Sequence, residues 1–467
     1  MSDVSKPVVL LVDNEIDSPN LRPLVNYLND KYTLSKSNTI ADAERKFKYD
    51  TESIDLIILD IHFGTDSIGG INLLERMRKT DPFLPIGMIT QYDESSKAFE
   101  SGQKLATFYL PKPKSGIDDS FLNKLGKAIE HSLNNVDYLY DRDLMKRCNK
   151  IYADTYDEEE YSKTGTVAFC YWEDLQISNV LSNFIASYPI KKLKILDIGC
   201  GTGRFEILIK RFFKDKAVDY EITAMDFAGK MLLKAKEKIE DNLEEGEIPP
   251  EPADPHDIPK IRLERGFAEC LPFGKNFFNF IIAGFGIPAY TKFNLTIPEI
   301  YRVLEEGGIA VFTVYSKNAL FHKISDYFFP HRKDECPMAS RVIKKRFSET
   351  SDQVIYKLAP QGDEKNAFPI QTFTKRELID MLNRFKFEVK EVGSFPILIS
   401  IYPLSYIKTL RNNEAKSHLP IVEYKPAKKP LIFSWKLYDS DLTIAKNIED
   451  EGYYITAIAR KREWKEK

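Results

Sequence analysis

Twice along this chain, short apolar runs alternate with amphipathic stretches in the rhythm of strand and helix. Between residues 7 and 132 the runs are Val8–Val12, Tyr32–Ser35, Ile54–Leu59, Pro85–Ile89 and Thr107–Leu110. Helical patterns such as Ile71–Arg78 and Phe121–Leu133 lie between them. Near-continuous apolar strands must be covered on both faces, so five such units predict a doubly wound parallel sheet. A second alternation starts at Lys194–Asp197 and continues with Glu221–Asp226, Phe280–Phe285 and Ile309–Tyr315. Phe387–Val392 and Tyr453–Ala459 are placed to complete a larger sheet. The chain is therefore expected to be α/β in both halves.

The 467 residues suggest roughly three domains of ordinary size. We read residues 1–132 as one domain, 133–160 as a helical connector and 161–467 as a second domain with cap insertions near 320–372 and 396–450. Those insertions carry aromatics outside the alternation, among them Phe321, Tyr327, Phe328, Phe329, Tyr402, Tyr406, Tyr424, Phe433 and Trp435. From Glu240 to Asp257 there are eight acidic residues and four prolines but no Lys or Arg, which predicts a solvated, mobile surface loop. The basic stretch Arg341, Lys344, Lys345 and Arg346 reads as a solvated helix face. With 67 Lys+Arg against 70 Asp+Glu, the net charge of −3 offers no electrostatic case for nucleic acid as a partner. The apolar run behind the polar start is too short for a signal peptide, and no apolar stretch approaches the roughly 18–20 residues of a membrane span. Five scattered cysteines without a C-x-x-C pair fit reduced thiols and a cytoplasmic location.

Four polar residues close or follow the strands of the first alternation: Asp13, Asp60, Thr90 and Lys112. Strand ends beside the switch point of an open parallel sheet share one crevice, so residues this far apart in sequence converge. Two carboxylates there suit a hard divalent cation such as Mg²⁺, and a carboxylate beside it can accept a phosphoryl group. With Asp13-Asn14-Glu15, Leu56-Ile57-Ile58-Leu59-Asp60, Thr90 and Tyr109-Leu110-Pro111-Lys112-Pro113, this segment resembles the flavodoxin-like receiver domain of two-component response regulators. The resemblance implies Asp60 as phosphoacceptor and Mg²⁺ held by Asp13, Asn14, Asp60 and the backbone carbonyl of His62. It also implies Thr90 and Tyr109 as the switch pair and Lys112 as the phosphate contact. Asn14 stands where that family usually carries a second acid, and the bulky Gln91 follows the switch threonine.

In the second alternation, Lys194-Ile195-Leu196-Asp197-Ile198-Gly199-Cys200-Gly201-Thr202-Gly203 sets a strand directly before three alternate glycines. Such a loop lets backbone approach a ligand, and dinucleotide sites use a similar one. Asp226 closes the next strand, 23 residues after Gly203, where a carboxylate can accept both ribose hydroxyls. Gly266-Phe267-Ala268-Glu269-Cys270-Leu271-Pro272-Phe273 and Glu299-Ile300-Tyr301-Arg302-Val303-Leu304-Glu305-Glu306-Gly307-Gly308 follow in order. This set resembles class I S-adenosylmethionine-dependent methyltransferases, a Rossmann-like seven-stranded fold, in the branch related to menaquinone/ubiquinone biosynthesis. The resemblance implies that Asp197, Gly199, Gly201 and Gly203 hold the amino-acid end of S-adenosylmethionine, and Asp226 the ribose. Phe227, Met231 and Ala268 would border the adenine and Phe285 would face the sulfonium. Tyr152, Tyr156 and Tyr161 precede the core where that family borders its substrate. Methyl transfer from a sulfonium needs alignment more than a general base, and none is identifiable.

The expected protein is a response regulator with a methyltransferase output acting on an unidentified acceptor. A histidine kinase or phosphotransfer protein would be its phosphodonor. The rival expectation is a non-catalytic signalling adaptor that keeps both folds.

Overall fold

A computed structural model of the chain describes residues 6–49, 54–63, 66, 68–81, 84–91, 106–133, 156–157, 161, 163–187, 191–252, 254, 257–322, 338, 340–346, 354–360, 368–402, 435–447 and 451–462. Packing divides it into two compact units. The first comprises Met1–Ala153, Phe227–Leu233 and Arg265–Pro272; the second comprises Asp154–Asp226, Lys234–Glu264 and Phe273–Lys467. Of the expected connector 133–160, all but Leu133, Tyr156 and Asp157 lie outside the described residues, Tyr152 among them, as do most of both cap insertions.

The N-terminal sheet holds β1 (Val8–Val12), β2 (Thr33–Ser37), β3 (Leu56–Asp60), β4 (Ile86–Thr90) and β5 (Phe108–Pro111) in the order β2-β1-β3-β4-β5. Every pairing is parallel. The central β3 and β4 are buried along their whole length, as runs of Ile, Leu and Met between two helical layers must be. The helices described here are α1 (Arg22–Lys31), α2 (Ile40–Tyr49), α3 (Gly69–Thr80) and α4 (Asp119–Leu133). One core joins Leu10, Leu59 and Met88 to Phe47 and Leu74; the other joins Leu11, Ile58 and Ile89 to Leu24 and Leu125. The sheet is thus doubly wound, as its sequence predicts.

The second sheet has seven strands in the order β14-β15-β10-β9-β6-β7-β8. They are β6 (Leu193–Ile198), β7 (Tyr220–Asp226), β8 (Ile261–Arg265), β9 (Phe278–Ala283), β10 (Leu304–Tyr315), β14 (Phe387–Phe395) and β15 (Tyr454–Lys461). β15 runs antiparallel to both its neighbours. Around this sheet lie α5 (Thr164–Ser187), α6 (Arg204–Phe213), α7 (Gly229–Glu240), α8 (Phe293–Val303), α9 (Lys375–Arg384), α10 (Leu398–Ile401) and α11 (Trp435–Asn447). α9 begins at a capping box in which Thr374 and Glu377 exchange hydrogen bonds. Within α8 the Arg302 guanidinium grips Glu299 through two hydrogen bonds and donates to the Phe273 carbonyl at 2.6 Å, so the Arg-Val-Leu segment ties the helix to the loop that precedes β9.

Two expectations need correcting. The basic stretch is not helical: Ser340–Arg346 is β11, paired antiparallel with β12 (Val354–Pro360), which also pairs with β13 (Phe368–Ile370). The Val-Ile-Tyr ladder of β12 supplies the pairing that overrides the lysines' helical preference. The acidic segment is a surface loop, but it is tethered. Lys210 pairs with Glu247, Lys214 with Glu244 at 2.6 Å and Lys236 with Glu251 at 3.1 Å. Among the described residues, no helix is long and apolar enough to cross a membrane.

Candidate functional sites

At the carboxyl edge of the first sheet, the side chain of Lys112 enters a buried acidic corner. Its ammonium donates to Asp13 Oδ2 at 2.7 Å and lies 3.4 Å from Asp60 Oδ1. Asp13 Oδ1 accepts from the backbone N–H of Glu15 at 2.8 Å, which fixes the carboxylate at the start of its turn. Asp60 Oδ1 is buried and makes no hydrogen bond. Burial is the chief reason that the Asp60 carboxyl is pushed up to about 6; the neighbouring Asp13 adds to the rise and Lys112 opposes it. Two carboxylates sharing one cation, with an oxygen left over, fit a small divalent ion bound through oxygen. No group of three His, Cys, Asp or Glu side chains clusters among the described residues, so any such ion rests on this pair and on backbone or amide oxygens. Asn14 is exposed in the turn after β1, and His62 follows β3 by two residues. Thr90 is fully buried at the end of β4, its carbonyl accepting from the Lys112 N–H at 2.5 Å, and Tyr109 is half-buried opposite Met88. Asp13, Asp60 and Lys112 are therefore brought together as the sequence predicts.

The second site begins where β6 runs into the glycine loop. Both the Gly199 and Cys200 amides donate to the Met225 carbonyl, so the loop is stitched to the end of β7. Gly201 has φ +55° and open space where a Cβ would stand, and its amide donates to Asp226 Oδ2 at 3.0 Å. Gly199, at φ +72°, has the Ile287 side chain 2.6 Å from where a Cβ would sit, so no other residue fits there. Gly203 then caps α6. On the outer side of the loop, the Thr202 hydroxyl donates to Asp157 at 2.6 Å, and Lys238 binds both residues.

Beneath the loop lies a buried pair of acids. Asp197 and Glu206 are fully buried, and among the described residues no donor satisfies their four oxygens. Burial lifts both carboxyls: Asp197 rises well above the usual range with help from the neighbouring Glu206, and Glu206 reaches about 7. An uncompensated acid pair under an open glycine cradle suits a ligand that brings cationic N–H donors. The residues present therefore fit the cofactor that the resemblance implies. Phe227 is half-buried just after β7, 6.0 Å from the Phe267 ring; Met231 is buried in the first turn of α7 and Ala268 just beyond β8.

Next to the glycine loop on the same sheet edge, the expected Phe285 and Tyr161 join an aromatic wall whose other members, Phe169, Tyr315 and Tyr454, the motifs did not reveal. Phe169 stacks on Tyr454 at 4.0 Å between ring centres, and Phe285 lies 6.0 Å from Phe169 and 5.8 Å from Tyr454. Tyr290 and Tyr315 share a hydrogen bond between their hydroxyls at 2.7 Å. Tyr161 is buried against Val167 and Cys170, with Phe285 packed on that group, and meets Tyr156 edge-on. Strand ends explain the convergence: Tyr315 is opposite Tyr454 in the ladder, and Tyr454 opposite Phe395.

Geometry thus defines two doubly wound α/β bodies, one with a lysine-compensated carboxylate crevice and one with a glycine-loop site. Comparison with known families agrees. Residues 9–118 match the response regulator receiver domain, and residues 172–353 match the ubiE/COQ5 methyltransferase family. The chain therefore joins a receiver domain to a methyltransferase-family domain. It is 27% identical over 156 residues to a demethylmenaquinone methyltransferase of Oceanobacillus iheyensis, covering 33% of this chain and 58% of that protein. It is 30% identical over 121 residues to a demethylmenaquinone methyltransferase of Staphylococcus aureus, covering 26% of this chain and 42% of that protein. The chain thus spans about half the length of these curated relatives. Among solved structures, it is similar to a SAM-dependent methyltransferase of Methanosarcina mazei with a TM-score of 0.32 and 17% identity, covering 60% of this chain and 97% of that one.

Proposed function

We propose that this chain is a response regulator whose output is methyl transfer from S-adenosylmethionine to a small-molecule acceptor, governed by phosphorylation of Asp60. The observation that carries the enzymatic half is the open cradle at Gly201 above the buried, unpartnered acids Asp197 and Glu206. When bound, S-adenosylmethionine supplies an electrophilic methyl group on a cationic sulfur. Gly199, Gly201 and Gly203 would hold its amino-acid end, with Asp197 receiving the ammonium. Asp226 would hold the ribose, while Phe227, Met231 and Ala268 would border the adenine. Phe285 would face the sulfonium, and the half-buried Tyr290, packed with Phe285 on the buried core of Phe169, Tyr315 and Tyr454, would align a flat apolar acceptor. The names of the curated relatives make a demethylmenaquinol the first acceptor to try.

On the receiver side, Asp13, Asp60, Asn14 and the His62 carbonyl would hold Mg²⁺, and Asp60 would take a phosphoryl group from a kinase or phosphotransfer protein. Lys112 would then exchange its carboxylate partner for the new phosphoryl oxygens, with Thr90 and Tyr109 following as the switch pair.

Calorimetry with S-adenosylmethionine is the first test, because an adaptor with a collapsed cradle gives no heat. Turnover with a short-chain demethylmenaquinol separates an enzyme from an adaptor that still binds the cofactor. For the receiver, incubation with acetyl phosphate and Mg²⁺ should add one phosphoryl group to the wild type and none to Asp60→Asn. Equal methyl-transfer rates with and without that modification would remove the regulatory half of the reading.

A further inference from the structure

α5 carries only two charges in 24 residues, the adjacent Glu173 and Asp174, and both point into the protein. Glu173 is wholly inaccessible to solvent. Its Oε1 accepts from the backbone N–H of Phe285 at 3.0 Å and from the Thr313 hydroxyl at 2.5 Å, and its Oε2 accepts from the Arg204 guanidinium. Arg204 opens α6 directly after the glycine loop; its other terminal nitrogen lies 3.3 Å from Asp174 Oδ1, and its guanidinium sits 5.3 Å from the centre of the Phe285 ring. Thr313 is itself bonded to Thr456 on β15 at 3.1 Å.

One carboxylate thus ties together α5, the strand end after β9, β10 and the helix that follows the cofactor loop. Its grip on Phe285 is the informative part. Phe285 has φ +48°, a left-handed backbone that a bulky residue adopts only when its surroundings impose it. Gly284 makes room for that grip, since a Cβ there would lie 3.2 Å from Glu173 Oε1 and 2.6 Å from the Phe205 ring. Strain of this kind is maintained where a side chain must be aimed, and here the aimed ring is the one placed opposite the sulfonium.

We propose that Glu173 is a positioning residue of the methyl-transfer pocket, holding Phe285 and Arg204 in the arrangement that distinguishes a cationic, methyl-bearing cofactor from its neutral demethylated product. The proposal rests on the reading of this domain as an S-adenosylmethionine site. Two features of the cluster support the preference for the cation. Glu173, Asp174 and Arg204 together carry a net charge of −1 when ionised, and the Phe285 ring presents a face suited to a cation. A glutamine at 173 could not reproduce the network, because its single oxygen cannot serve three donors and its amide would confront one of them.

The test compares binding of S-adenosylmethionine and S-adenosylhomocysteine by calorimetry in the full chain, and needs no acceptor. In Glu173→Gln, affinity for S-adenosylhomocysteine should stay within about 3-fold of wild type while S-adenosylmethionine binding weakens about 10-fold. Glu173→Asp keeps the charge but is one methylene too short to reach Phe285 and Arg204 together, so it should behave like the glutamine variant. Thr313→Val, the gentler change, should show the same selective loss at about 2- to 3-fold. Equal weakening of both ligands overturns the proposal in favour of general loosening of the domain, as does unchanged selectivity. Full recovery in Glu173→Asp would leave charge alone as the cause and overturn the positioning role. If Glu173→Gln does not fold, Thr313→Val decides between these outcomes. Wild-type protein that binds neither ligand overturns the underlying reading and this proposal together, whereas wild-type binding with unselective variants overturns only the role of Glu173.

Discussion

Both sheets gather carboxylates at their strand ends, but they compensate them in opposite ways. In the receiver crevice, Asp13 and Asp60 converge on the ammonium of Lys112. Beneath the glycine loop, the four oxygens of Asp197 and Glu206 have no hydrogen-bond partner among the described residues, and burial pushes both carboxyls up. The first corner already holds its cation, and under the proposed function it would take a metal ion and then an anion. The second lacks a cation, and its ligand would bring one. The sign of what each site lacks, rather than the number of acids it contains, separates the two chemistries.

The contrast can be broken most severely at Lys112. Lys112→Met leaves two buried carboxylates without their cation, and removing one partner of a buried ion network costs about 3–5 kcal/mol. Urea unfolding of the receiver transition should register that loss, and an unchanged midpoint would show that the lysine is not the compensating charge. Next comes Gly201→Val, which fills the cradle and should weaken S-adenosylmethionine binding by about 100-fold, read by calorimetry on the folded variant; its left-handed backbone (φ +55°) means that the melting temperature should also fall. Retained affinity would place the cofactor elsewhere.

A third experiment uses pH. Glu206 titrates at about 7 in the folded chain against the ordinary carboxylate range near 4.5 when unfolded. Between those values the folded state holds the extra proton, so this group's contribution is complete below the unfolded value and is lost as pH rises through about 7. Melting temperatures should therefore decline across that window, and Glu206→Gln should flatten the decline, recovering about 2 kcal/mol at pH 8. An unaltered slope would mean that the pair is not buried as described. The smallest effect is expected from Asp60→Asn. Asp60 titrates at about 6, so by the same sign it destabilises the fold at neutral pH. The variant should gain about 1 kcal/mol at pH 7.5, and saturating Mg²⁺ should narrow that difference.

Much of this was legible in the sequence because strand-end residues sit at the boundary between an apolar run and a turn. Asp13, Asp60, Thr90, Asp197 and Asp226 are all of that kind. β8 escaped because it is an edge strand whose Arg262 and Glu264 face water between Ile261, Leu263 and Arg265, a pattern with no apolar run to notice. β11 escaped because its lysines read as helical and its partner lies in a separate segment. Glu173, Glu206 and the wall residues Phe169, Tyr315 and Tyr454 were missed for a different reason. Their roles depend on which strands become neighbours, and that order is not written in local periodicity. A signal for Glu173 was nonetheless available, since two adjacent acids in an otherwise uncharged 24-residue helix call for a buried partner.

The seating of β15 has a consequence for biogenesis. This strand, Tyr454–Lys461, is inserted between β14 and β10 and carries Tyr454 into the aromatic wall. The receiver's sheet, by contrast, has all five strands by Pro111. On a ribosome the receiver body can therefore mature while the other sheet still has an unfilled slot between two exposed ladders. A nascent chain halted before residue 454 would expose those edges to mispairing, so translational pausing there should be met by chaperone capture rather than by a partly working enzyme.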